Sequence, residues 1–323
     1  MNTIKPNTSS RSKSRIATRP NYQESFMVRE LGQKRLRHFS TLISKAGHMG
    51  NPKTIHDIRV ASRRVQQILD YLYPAPRPPA VRRLRSRLRR SRRILGKLRD
   101  YDVFIAAIDK RLKSKRLAQR QAWTAIHDRL KQRRIKLMKK ARERFDKEDI
   151  PGLCTQLNSL LNNGDLQFDA AKSPPLRPEA MVIALKRLWQ DLSDEAAESL
   201  RKPRPVNIHG VRIKAKRLRY LLEVAEELGN PHAEMPLVWL RRLQQQLGDW
   251  HDLEVQEKIL LNMNSRRPVL NAALKDNSLS DLLDNMHAVK TDIERTYLQM
   301  IDNNREWARL QIWMSKHLDP AMF

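Results

Sequence analysis

Two motifs recur in this chain in the same order and at almost the same spacing. HDIRVASRR, His56 to Arg64, aligns with HGVRIKAKR, His209 to Arg217, at an offset of 153 residues. LGKLRDYDV, Leu95 to Val103, aligns with LGDWHDLEV, Leu247 to Val255, at an offset of 152. Chance similarity between basic segments would not hold two motifs to one register, so a duplicated unit is expected. Whatever architecture the first half adopts, the second has to repeat it.

That unit is helical. Apolar residues step by threes and fours, as in Ile58, Ala61, Val65, Ile68, Leu72 and in Val211, Ala215, Leu218, Leu222, Ala225, which is the stripe of an amphipathic helix. Glycine is scarce, at nine residues, and no hairpin dipeptide is flanked by alternating apolar positions. The fold class is therefore all-α. Helices are expected near 22–47, 55–73, 79–113, 115–148, 176–201, 208–228, 234–263 and 280–317, separated by Asn51-Pro52, the run PAPRPP, Lys202-Pro203-Arg204-Pro205 and Gly229-Asn230-Pro231. The longest break, 151–175, reads as a linker between two four-helix bundles, 22–150 and 176–318.

Charge separates the halves that sequence similarity joins. The chain carries 64 Lys and Arg against 35 Asp and Glu, a net +29; residues 1–150 hold 41 basic and 12 acidic side chains, residues 151–323 hold 23 of each. A surface so charged calls for a polyanion: nucleic acid, an anionic membrane face or inorganic phosphate chains. At 40 % hydrophobic residues the chain can still form a core. No run of about 18 apolar residues exists to span a bilayer. The start, MNTIKPNTSSRSKSRIATRP, lacks the apolar stretch of a secretory signal and reads as a disordered basic arm over 1–21. The single cysteine, Cys154, allows no internal disulfide and suits a reducing cytoplasm.

The repeated motifs suggest where the anion goes. Thr54 and Asn207, two residues before their histidines, are expected N-caps, with His56 and His209 in the first turn, where free N–H groups and the macrodipole favour anions. Arg59 and Arg63 follow His56 on one face, and Arg212 and Lys216 follow His209 in the same places, flanked by Arg64, Lys214, Arg217 and Arg219. Arginine's planar fork holds phosphate oxygens bidentately; lysine adds a point charge. For a single helix the plain alternative is a solvated basic face, but repetition in both halves argues for a site.

Between the motifs, VRRLRSRLRRSRR, Val81 to Arg93, has a narrow apolar stripe and arginine around the rest. Its like charges oppose their own helix and need anions nearby. Three His-Asp pairs, His56-Asp57, His127-Asp128 and His251-Asp252, invite a metal reading, yet adjacent helical residues point about 100° apart and no further ligand follows at the next turn. Asp100 and Asp252 recur at matching positions and are expected to orient basic side chains or to cap helix breaks after Gly96 and Gly248. No Gly-rich phosphate loop, nucleophile elbow or paired carboxylates occur. No metal, cofactor or catalysis is expected.

At these residues, HDIRVASRR with LGKLRDYDV and HGVRIKAKRLRYLLE with LQQQLGDWHDLEV, the chain resembles the conserved histidine α-helical domain (CHAD) family over roughly 25–315. The resemblance implies two four-helix bundles related by a pseudo-twofold axis around a basic central channel that binds inorganic polyphosphate, in proteins associated with polyphosphate granules of the bacterial cytoplasm. It places the family's histidines at His56 and His209 and its basic residues at Arg59, Arg63, Arg64, Arg212, Lys214, Lys216, Arg217 and Arg219, with Tyr220 beside them and Arg89, Arg90 and Arg93 on the following helix. The ExExK strand of the triphosphatase domain fused to many relatives is not found here, so its activity is not expected.

Two other readings stay open. A nucleic-acid-binding protein fits the arginine helix and the basic stretch from Lys110 to Arg144, although no base-reading motif is recognisable. A phosphohydrolase would use the His-Asp pairs with a divalent metal.

Overall fold

The computed structural model describes residues 22–45, 50–114, 119–162, 180–230, 233–266, 278–302 and 304–318, and these are all-helical, without a strand. The helices are α1 (Tyr22–Ser44), α2 (Pro52–Leu72), α3 (Pro79–Ile94), α4 (Gly96–Leu112), α5 (Arg120–Asp146), α6 (Ile150–Asn162), α7 (Ala180–Arg201), α8 (Pro205–Glu227), α9 (Glu234–Arg266), α10 (Ser278–Ile301) and α11 (Arg305–His317). The expected arm over 1–21 lies outside the described residues. None of the described helices is long and apolar enough to cross a membrane.

Proline decides where the two helices of the first motif begin. α2 opens at Pro52 behind Asn51, whose side chain accepts the Lys53 N–H at 2.8 Å, and α8 opens at Pro205 behind Arg204. Proline in the first turn forfeits no helical hydrogen bond and is preset to helical φ. Thr54 and Asn207 are therefore inside their helices and cap nothing; the Asn207 amide donates to the Lys202 carbonyl at 2.9 Å. His56 and His209 become the fifth residues of α2 and α8, where N–H groups already bond within the helix. The expected anion site at the helix ends is not at the histidines.

Two expected helices are interrupted. The run 79–113 breaks at Leu95, which is fully buried and ends α3, and Gly96 opens α4. The equivalent Leu247-Gly248 passes through α9 without a break. The run 280–317 divides into α10 and α11, with Asn304 accepting the Glu306 N–H at 2.7 Å as the cap of α11.

The expected linker begins as a helix. α6 buries Ile150, Leu153, Leu157, Leu160 and Leu161, and it packs on α1 and α3. Its entry is fixed by Asp149, at φ 44, whose carboxylate accepts the Gly152 N–H at 3.0 Å. A Cβ at residue 152 would fall 2.1 Å from that carboxylate. Residues 163–175 of the expected linker lie outside the described residues.

The apolar core is not divided between halves. One cluster runs from Phe39, Ile58 and Leu88 to Leu218, Trp250 and Leu310; a second joins Phe104, Ile108 and Trp123 of α4 and α5 to Leu253, Leu260 and Leu282 of α9 and α10. Across the halves α2 packs on α8, and α4 on α9. Each motif helix thus meets its own counterpart.

Candidate functional site

The meeting of α2, α4, α8 and α9 concentrates cations that the sequence separates by more than 100 residues. Arg63 of α2 is electrostatically coupled to Arg212 and Lys216 of α8. Burial, reinforced by Arg212, Arg63 and Arg219 and opposed by Asp252, pushes the Lys216 ammonium down to about 7. A lysine so depressed is crowded by like charge in a place water solvates poorly. Among the described residues Arg63 has no hydrogen bond or ion pair through its side chain.

Two aspartates partly balance this charge in a crossed arrangement. Asp100 of α4 is coupled to Arg59 and Arg99 of its own half and to Arg212 of the other; Asp252 of α9 is coupled to Arg212 and, across the halves, to Arg99. Burial raises both carboxyls above the ordinary range. Both feel the field of these basic side chains without a hydrogen bond or ion pair to them among the described residues, and neither caps a break.

The histidines lie at the edge of the cluster. Burial and then Arg99 lower the His56 pKa, with Arg63 and Arg59 adding and Asp57 opposing. Burial, Arg212, Lys216 and Lys258 lower that of His209, against Glu254. The His209 ring lies 5.1 Å from that of His251, which burial, Arg212, His209, Lys216 and Lys258 push down to about 3. These imidazoles are neutral at pH 7 and offer a phosphate one N–H each.

Several expected site residues have internal partners. Arg59 donates to the Arg92 carbonyl at 2.5 Å, where α3 ends, and Arg92 reaches back to the Ser62 carbonyl at 3.2 Å and to Gln66. Burial is the first cause that brings both guanidinium groups to about 10. Arg64 and Arg219 share buried Glu223, at 3.9 and 3.3 Å, and Arg219 lies 5.0 Å from the ring centroid of buried Tyr220. Lys214, roughly 200° around α8 from Arg212, pairs with Asp191 of α7 at 3.7 Å. Arg217 is exposed. Arg90 pairs with Glu148 at 3.3 Å, Arg89 is coupled to Arg92 and Arg77 instead of to Arg212 or Lys216, and Arg93 is exposed on α3.

Sequence reasoning left two members out of the anion site and weighed one of them, His251, only as a metal ligand. Arg99 and His251 occupy equivalent places, the fifth residue of the second motif in each half, and both reach the cluster. The duplicated register was the signal that could have found them. The His-Asp pairs, by contrast, do not converge: His127 lies between α4 and α5, its Nε2 2.8 Å from Asp109, and Asp57 pairs with Lys53 at 2.9 Å. Among the described residues no group of three His, Cys, Asp or Glu is placed to hold a metal ion.

Comparison with known proteins agrees with this architecture. A crystal structure of the CHAD domain from the plant Ricinus communis superposes with a TM-score of 0.60, covering 90 % of this chain and 91 % of that one at 18 % sequence identity, a likeness of fold. No curated protein sequence matches the chain. The CHAD domain family model matches residues 31–261, more than two thirds of the sequence. The chain belongs to the CHAD domain family.

Proposed function

We propose that this protein binds inorganic polyphosphate at the cationic cluster joining α2, α4, α8 and α9, and that it does so without turnover. The observation that carries this reading is Arg63, lacking a carboxylate partner among the described residues, beside Arg212 and a Lys216 depressed to about 7. Such a cluster is at its least stable empty, and a linear chain of phosphates neutralises it from both halves at once. Binding phosphate alone requires no base stacking, and the ring of Tyr220 beside Arg212 is buried.

Polyphosphate granules in the bacterial cytoplasm are the proposed place of action, following the family resemblance. Calorimetric titration with polyphosphate tests the binding: the Arg59→Ala/Arg63→Ala/Arg212→Ala/Lys216→Ala variant loses most of the affinity, and the wild type weakens as salt is added. Unchanged affinity in that variant overturns the assignment. Phosphate release in the presence of Mg²⁺ or Mn²⁺, abolished by changes at His56 or His127, would establish hydrolysis instead. A fluorescently tagged protein is expected to form foci only in cells that synthesise polyphosphate.

A further inference from the structure

Helix α3 contains eight arginines and no acidic residue. Four of them serve the fold: Arg85 pairs with Asp70, Arg92 bonds α2, Arg87 donates to the Glu148 and Asp149 carbonyls at 2.9 and 2.8 Å, and Arg90 pairs with Glu148. The other four, Arg82, Arg83, Arg89 and Arg93, are exposed and have no hydrogen bond or ion pair through their side chains among the described residues. The buried stripe of Val81, Leu84, Leu88 and Ser91 fixes the rotation of α3, so these four point away from the core.

Their arrangement is ordered. At about 100° per residue, Arg82, Arg89 and Arg93 form one row and Arg83 and Arg90 a second, with Pro79 and Ser86 between them. The rows extend roughly 16 Å along the helix, from Arg82 to Arg93. An open concavity of about 480 Å³, lined by Pro79, Arg82, Arg83, Ser86, Arg87 and Arg90, lies between Arg82 of the first row and the second row. Its lining is arginine over a floor of small residues. α5, which packs on α3, adds exposed Lys139, Lys140, Arg142 and Arg144.

We propose that this face is a second anion surface, separate from the cluster at α2 and α8, and that it binds the phosphodiester backbone of double-stranded nucleic acid. α3 has no exposed large apolar residue to enter a bilayer, so an anionic membrane is a poor occupant. It has no aromatic side chain on which single-stranded bases could stack. An open trough with cations on both flanks suits a stiff phosphate backbone at its surface, with no need to enclose the ligand. Recognition is through phosphates and independent of sequence.

This reading stands independently of polyphosphate binding, and the test separates the two. A labelled DNA duplex of mixed sequence is titrated with the full chain, with the Arg82→Gln/Arg83→Gln variant and with the Arg63→Ala/Arg212→Ala/Lys216→Ala variant. The α3 variant is expected to bind duplex at least fivefold more weakly, with the slope of log affinity against log salt reduced by about 2, and to keep its affinity for polyphosphate. The cluster variant is expected to keep its duplex affinity. Unchanged duplex binding by the α3 variant overturns the proposal. So does loss of duplex binding in the cluster variant alone, displacement of duplex by polyphosphate at equal phosphate concentration, or an α3-dependent affinity for phosphatidylglycerol vesicles that duplex does not share.

Discussion

The rings of His209 and His251 lie 5.1 Å apart and are inclined by 39°, joining α8 to α9 beside Arg212. In the first half the place of His251 is taken by Arg99, so His56 has a guanidinium for a neighbour where His209 has a ring. The two sides of the cluster are built on one register but differ in charge. One side is permanently cationic; on the other, His209, His251 and Lys216 are held near or below neutrality in their proton affinity.

Polyanion binding is therefore expected to take up protons. A phosphate chain beside Lys216 raises its pKa from about 7 toward the ordinary lysine value. Polyphosphate affinity falls as pH rises from 7 to 9, and the binding heat depends on the buffer's ionisation enthalpy. Replacing lysine by a permanent charge, Lys216→Arg, flattens both dependences; titrations in two buffers across that range check this.

In the absence of a polyanion the same residue weakens the fold. Between its depressed value and the ordinary lysine value the unfolded chain holds more protons, so stability rises with pH through that window, and the full cost is present below about 7. Lys216→Met is expected to raise Tm at pH 6 to 7, by a gain on the order of 1–3 kcal/mol, and by little at pH 10. His251 has the same sign at lower pH: held at about 3, it takes up a proton on unfolding, so stability is lost as pH falls from 6.5. Thermal melts of the wild type, Lys216→Met and His251→Gln against pH resolve the windows.

Arg92 and Arg63 separate structure from binding. Arg92 bonds Ser62 and Gln66 from a half-buried position, whereas Arg63 has neither a hydrogen bond nor an ion pair among the described residues. Arg92→Ala is expected to cost about 1–3 kcal/mol of stability, with polyphosphate affinity changed little in the folded protein. Arg63→Ala is expected to leave Tm unchanged or raise it and to weaken binding. Paired melts and titrations on the two variants check the contrast.

Glu223 limits the free charge of the site. Its one negative charge is shared by Arg64 and Arg219 from a buried position, so Glu223→Gln raises the net charge there by one and leaves both arginines without that partner. The variant is expected to be less stable when empty, to bind polyphosphate more tightly and to recover its Tm when polyphosphate is added. Melts with and without the ligand measure this directly.

α6 offers a test of the fold itself. Leu157, in the segment whose sequence reads as a linker, is fully buried. Leu157→Ala is expected to cost about 2–5 kcal/mol in denaturant unfolding.

Helical periodicity made the all-α class legible, and the duplicated register identified α2 and α8 as the helices carrying the cluster. What escaped has specific physical causes. Pro52 and Pro205 opened their helices early and moved the histidines out of the first turn. Leu95 followed by glycine reads identically in both halves, yet only the first breaks, where Arg59 donates to the freed Arg92 carbonyl. α6 was hidden because its helix-breaking Pro151 and Gly152 lie in the first turn, where both are tolerated. Arg99, His251 and the pairing of Arg64 with Glu223 depend on which helices meet across the halves, which periodicity within one helix does not encode.

The stoichiometry of polyphosphate binding, measured by calorimetry on the wild type, Arg63→Ala, Lys216→Ala and their double variant, tests most directly whether both halves hold one ligand. One chain bound per protein is expected, with either substitution weakening that single event and the double variant losing less than the sum of the two. Two equal and independent sites, each weakened only by the substitution in its own half, would contradict it.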